Sequence, residues 1–147
     1  MENPAKIQKP STRKKARRYA IQGIYQWQLS GNPIKDIELQ FLETINAKKV
    51  DIEYFQEVLV NTLSGISEID ELIVPILDRD IEEVNPVELA ILRLACYELM
   101  SRIDVPYKVV INEALELTKT FGAQEGHKFV NGILDKLAKQ TRKMEIS

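Results

Sequence analysis

The sequence predicts an all-α protein of about seven helices in two packed sub-bundles. Apolar residues recur at helical spacing in one segment after another, and no segment sustains the alternation of a strand. Proline, glycine and asparagine fall in the gaps between the apolar stripes, where helices start and stop. With 147 residues, 44% of them hydrophobic, the chain has material for one domain whose two sub-bundles share a core.

The first ten residues, MENPAKIQKP, are polar, hold two prolines and lack periodicity, so 1–10 reads as a disordered basic arm before one helical domain over 11–147. Ser11 or Thr12 is placed to cap the first helix, because a hydroxyl accepts one of the unpaired first-turn N–H groups. Its apolar stripe is Ala16, Ala20, Ile24 and Trp27. Ser30-Gly31-Asn32-Pro33 ends it and starts a second helix with Ile34, Ile37, Phe41 and Ile45 inward. Asp51 caps a third, carrying Phe55, Val58, Leu59 and Leu63. Ser64-Gly65 marks the boundary between sub-bundles of roughly 11–65 and 66–147.

A fourth helix uses Ile69, Leu72, Ile73 and Ile76, with Pro75 expected to kink it late. Asn85-Pro86-Val87-Glu88 is the strongest local signal. A capping asparagine, a proline at the first helical position and a glutamate at the third open a helix with Leu89, Leu92, Cys96 and Leu99 inward. Val105-Pro106 precedes a sixth helix that runs to Phe121, with Gly122 expected as a left-handed cap. Phe129, Ile133 and Leu137 mark the last helix.

Catalytic chemistry has few candidates. His127 is the single histidine and Cys96 the single cysteine, so histidine–serine, histidine–cysteine and multi-histidine metal arrangements have at most one member. Cys96 on an apolar helix face reads as a buried structural thiol. Asp70-Glu71, Asp78-Arg79-Asp80 and Glu82-Glu83 resemble solvated helix edges rather than an opposed acid–base pair. Gly122 and Gly132 build no phosphate-cradling loop. The expectation is a non-enzyme with no metal and no cofactor. Sparse cysteine, no apolar leader and no membrane-length apolar run point to a cytoplasmic protein.

Charge is unevenly spread. Up to Arg18 there are seven basic residues (Lys6, Lys9, Arg13, Lys14, Lys15, Arg17, Arg18) against Glu2, a net of +6, which leaves −8 elsewhere for the overall −2. A basic arm on an acidic body points to a polyanion such as nucleic acid; the plainer reading is a solvated tail. Basic side chains near phosphates give affinity without sequence choice, and unpaired RNA bases are read on aromatic rings. Tyr25 on the first helix, and Phe121 and Phe129 around Gly122–Lys128, are the aromatics in reach of that role, although aromatics at helical spacing are also ordinary core residues.

Several runs, in order, resemble one known family. Glu88-Leu89-Ala90-Ile91-Leu92-Arg93-Leu94-Ala95 with Tyr97-Glu98-Leu99 is similar to its fifth-helix signature. Asp104-Val105-Pro106, Val110-Ile111-Asn112-Glu113-Ala114 and Glu116-Leu117 resemble its sixth-helix motif. Lys119, Phe121-Gly122 and Lys128-Phe129-Val130-Asn131-Gly132-Ile133-Leu134-Asp135 resemble its C-terminal signature, and Arg13, Ala16-Arg17, Ala20, Gln22 and Tyr25-Gln26-Trp27-Gln28-Leu29 its opening helix. The family is NusB, the transcription antitermination factors, and the likeness runs from Arg13 to Leu137.

The resemblance implies a NusB-like fold and an RNA-binding adaptor. Its members bind single-stranded boxA RNA of ribosomal leader transcripts with NusE, a small-subunit ribosomal protein, and join the RNA polymerase antitermination complex; some form a homodimer. It implies RNA contacts at Arg13, Lys14, Lys15, Arg17, Tyr25, Phe121, Gln124, Glu125, Lys128 and Phe129, and NusE contacts at Glu88, Leu89, Leu92, Tyr107 and Lys108. Two departures stand out. Gly126 occupies a position where many members carry serine, and Lys14 and Lys15 replace arginines of some relatives, keeping charge but losing the bidentate fork. Rival readings are a fragment of a ribosomal-RNA cytosine methyltransferase, whose further domain and catalytic cysteines this chain lacks, and a scaffold whose arm docks an acidic protein.

Overall fold

The computed structural model describes residues 10–146. Among them there are eight α-helices and no strand: α1 Pro10–Ser30, α2 Ile34–Leu42, α3 Ile52–Ser64, α4 Ile66–Ile73, α5 Pro86–Ser101, α6 Tyr107–Phe121, α7 Gly126–Thr141 and the four-residue α8 Lys143–Ile146. The all-α expectation holds, with α8 as one short helix more than the sequence suggested. Most of the expected N-terminal arm lies outside the described residues. The chain is already helical at Pro10, so Ser11 and Thr12 sit inside the first turn instead of capping it.

α5 is the hub. Every residue from Glu88 to Leu99 is buried, and the helix packs against α1, α3, α4, α6 and α7. A helix covered on all sides has no polar face to spare, so its charged residues need partners. Arg93 finds Asp70 on α4, at 3.0 and 2.8 Å, and Gln28 on α1 at 3.0 Å. Leu92 and Leu99 are completely enclosed. Truncating either to alanine costs about 2–5 kcal/mol, the transfer term plus the cavity left behind.

The predicted caps form where a short polar side chain meets the first turn. Asp51 accepts the Tyr54 N–H at 3.0 Å, and Asn85 accepts those of Val87 and Glu88. The expected glutamate partner of the second cap is redirected, because the Glu88 carboxylate turns to the loop after α6. α4 does not kink at Pro75; it ends at Ile73 and passes into a 3-10 turn over Val74–Ile76, since proline lacks the N–H and clashes with the preceding turn. Gly31 closes α1 in the left-handed region, φ +68°, donating to the Trp27 carbonyl. Gly122 does not: its backbone is extended, φ −84° and ψ −178°. The left-handed residue is Glu125, φ 67°.

The C-terminus is stitched to the hub. Arg142, 4% exposed, donates to the carbonyls of Glu98, Leu99 and Arg102 at the end of α5, where those of Glu98 and Arg102 also accept the N–H groups of Arg102 and Val105. Glu145 accepts from Arg142 and from the Tyr107 N–H at the start of α6. No helix among the described residues is long and apolar enough to cross a membrane.

Candidate nucleic-acid interface

The basic residues of α1 divide by helical phase. Ala16, Arg17, Ala20, Ile21 and Ile24 face the core; Lys15 and Arg18 face solvent. Arg17 is therefore a core residue, 3% exposed. Its Nε and Nη2 donate to the Glu98 carboxylate at 3.0 and 2.9 Å, and its Nη1 lies 3.7 Å from Glu113. The Tyr54 hydroxyl donates to the same carboxylate. Burial, and then the Glu98 charge, push that hydroxyl well above its ordinary pKa. The Arg13 guanidinium lies 4.1 Å over the Tyr54 ring and that of Arg102 4.9 Å from it. Arg17, expected on RNA, is spent inside the protein.

Lys14 lies on the α6 side. Its Nζ meets Glu113 and Glu116 at 2.7 Å each, and these hydrogen bonds raise its pKa. From Lys14 one stripe of α1 runs on through Arg18, Gln22, Tyr25 and Leu29, at intervals of three and four residues. The stripe borders two grooves. The first is cationic at its rim, lined by Lys14, Arg18, Lys119 and Thr120 with Glu113, Glu116 and Leu117. The second is apolar, lined by Ile21, Tyr25, Leu29, Phe41, Val87 and Phe121 with the amides of Gln22 and Gln26 at its edge. Leu29 is 61% exposed, Phe121 43% and Tyr25 36%, so this is a sizeable apolar opening on the surface.

The loop between α6 and α7 closes the far end. Gln124, Glu125 and Lys128 are exposed, and Lys128 pairs with Glu125 at 3.0 Å. The loop is held from beneath by Glu88, which accepts the Ala123 N–H at 2.9 Å. Gly126 packs against the same carboxylate so closely that a β-carbon there would fall 2.2 Å from Glu88 Oε2. The ring of Phe129, half-buried, lies under the Arg79 guanidinium at 4.3 Å. Phe129 lines neither groove.

The expected RNA residues thus separate. Lys14, Tyr25 and Phe121 share the α1–α6 face, Gln124, Glu125 and Lys128 lie on the adjoining loop, and Arg17 is buried. Arg18 and Lys119 belong to the same face and were not among the predicted contacts. The spacing of 18 between 14 and 22 was the signal for the first. On the partner side, Leu92 is fully buried and Glu88 is committed to the loop, so neither offers its side chain to another molecule. Tyr107 and Lys108 begin α6, which has 15 residues and so spans roughly 20 Å, and they lie at the opposite end from Phe121. Val87, Leu29 and Tyr25 are the accessible apolar residues beside the start of α5.

A family model described as the NusB family matches residues 14–139. The chain belongs to the NusB family. It is 61% identical over 134 residues to a transcription antitermination protein NusB of Shewanella piezotolerans, covering 91% of this chain and 99% of that protein. It is 60% identical over 129 residues to that of Shewanella amazonensis, covering 88% and 96%. Among solved structures it resembles T. maritima NusB, with a TM-score of 0.82 and 29% identity over 95% of this chain and 98% of that one. It also resembles a chain in a crystal structure of antitermination factors NusB and NusE in complex with double-stranded RNA: TM-score 0.76, 28% identity, 86% of this chain and 96% of that one. NusB proteins are antitermination factors and not enzymes, which agrees with the thin catalytic inventory of the sequence.

Proposed function

We propose that this NusB-family chain binds boxA RNA of ribosomal leader transcripts as a heterodimer with NusE, acting in the cytoplasm on the elongating RNA polymerase to suppress premature termination. The observation that carries the reading is the α1–α6 face, where a cationic groove lined by Arg18 and Thr120 neighbours an apolar one lined by Gln22 and Phe121. The cationic half suits a phosphate backbone, which attracts Lys14, Lys15, Arg18 and Lys119 without regard to sequence. Bases are read where the backbone reaches the loop, by Gln124, Glu125 and Lys128 and by the Phe129 ring.

The apolar half suits a protein. Leu29, Val87, Tyr25 and Phe121 offer a surface with little to bond a base edge, and we place NusE there, with Leu89 and Glu88 supporting it from below. A solved relative held with NusE and RNA supports a partner of this kind. Tyr25 and Phe121 then move from the RNA side to the partner side of the site, and Tyr107 and Lys108 fall outside it.

The test is fluorescence anisotropy of a labelled boxA RNA titrated with the protein, with and without NusE, at two salt concentrations. A scrambled strand and a duplex serve as controls. Selective binding that tightens with NusE and weakens steeply with salt, by about 0.7 logarithmic units per neutralised phosphate per decade, supports the reading. Equal binding to the scramble with no help from NusE returns the chain to a generic basic-arm scaffold. A mass that rises with protein concentration would assign the apolar groove to a second copy of the chain.

A further inference from the structure

The cationic groove already contains an anion. Glu116, on the exposed side of α6, places a carboxylate oxygen 2.7 Å from Lys14 Nζ, and the charges of Lys119 and Arg18 also act on it. These cations, Lys14 first, hold its pKa below the ordinary carboxylate value. With 65% of its side chain exposed, Glu116 is not there to neutralise a buried charge. Its neighbour Glu113 is different: only 15% exposed, it serves the buried Arg17 as well as Lys14. Removing Glu116 therefore leaves the interior intact.

We propose that Glu116 is a tethered competitor for RNA phosphate. It holds Lys14, which Glu113 also pairs, in the field of Arg18 and Lys119, and a backbone phosphate must displace it to reach Lys14. The inference rests on the RNA-binding reading above and adds to it a device that lowers affinity. Displacement exchanges one anion for another at Lys14, so part of the electrostatic gain of each encounter is cancelled. Phosphate contacts carry no sequence information, so the cost falls equally on every RNA. The protein's generic attraction for RNA is set lower than its count of exposed cations implies.

The experiment compares wild type, Glu116→Gln, Lys14→Gln and the double variant by anisotropy against boxA and scrambled RNA, with thermal melting as a fold control. Glu116→Gln should bind both RNAs about two- to five-fold tighter, the size of an exposed ion pair, with an unchanged melting temperature. The gain should disappear in the Lys14→Gln background, because a competitor acts only through the cation it holds. A gain that persists there would make Glu116 an ordinary repulsive surface charge and overturn the proposal. So would a gain confined to boxA, which would make it a reader of bases, or no gain at all. Failure of the wild-type protein to bind any RNA would instead overturn the functional reading on which the inference stands.

Discussion

Glu88 and Gly126 are in contact across 38 positions of sequence, and the contact leaves no room for a side chain on the glycine. The fifth helix thereby fixes the entry to the seventh, and with it the loop whose exposed residues are candidates for RNA contact. The space that a side chain at position 126 would need is filled by the Glu88 carboxylate.

Gly126→Ala should displace that carboxylate and break its bond to the Ala123 N–H, lowering stability by about 1–3 kcal/mol. Gly126→Ser should cost less, since the new hydroxyl can donate to the displaced Glu88. Chemical denaturation of the two variants checks the order. An alanine variant as stable as the serine one would show that Glu88 moves aside freely.

Arg17 and Arg18 should behave as opposites. Arg17→Ala strands Glu98 and the Tyr54 hydroxyl in the core and should destabilise by about 3–5 kcal/mol. Arg18→Ala should leave the melting temperature within error and weaken RNA binding. Melting and anisotropy on both variants decide the matter. A stable Arg17 variant defective only in RNA binding would refute this assignment.

Arg142→Met keeps the bulk of the side chain but abandons three carbonyls at the end of α5. The expected loss is about 1–3 kcal/mol, because the Leu99 carbonyl loses its Arg142 donor while those of Glu98 and Arg102 keep the N–H groups of Arg102 and Val105. Hydrogen exchange should show the last turn of α5 and α8 opening first.

Acid should loosen the same corner. The Tyr107 N–H, and then Arg142, hold Glu145 below its ordinary value of 4.5. A carboxylate depressed in the folded state stabilises above its unfolded pKa and loses that contribution as pH falls through the folded value. The difference in melting temperature between wild type and Glu145→Gln should therefore be present at neutral pH and shrink below about pH 4.5.

Burial, with a smaller push from Asp70, raises the Cys96 thiol to about 12. At pH 8 the native protein should leave a disulfide reagent unreacted and should titrate one thiol per chain once denatured.

The fold was legible wherever its cause is local. Asn85-Pro86 announces α5, Asp51 announces α3, and the apolar stripes of α5 and, half-buried Phe129 apart, of α7 lie inward as their spacing requires. The site was legible only in part, because burial of a charge is decided by remote sequence. Nothing near Arg17 tells that Glu98 waits for it, so a run of basic residues reads as one arm when alternate members face opposite ways. The extended backbone at Gly122, which still ends α6, and the left-handed one at Glu125, ahead of α7, were equally out of sight. The loop there is held by Glu88, 35 residues away in sequence from the Ala123 N–H it accepts.

The link between Arg17 and Glu98 spans 81 residues and also orders events in time. During synthesis α1 leaves the ribosome first, carrying its apolar stripe and the guanidinium that belongs beneath it. At about 5–20 residues per second, its counter-charge follows some 4–16 s later. Through that interval α2 and α3 can cover its apolar stripe, but its cationic face stands beside a ribosome made largely of RNA until α5 brings the carboxylate that holds Arg17 inside the protein.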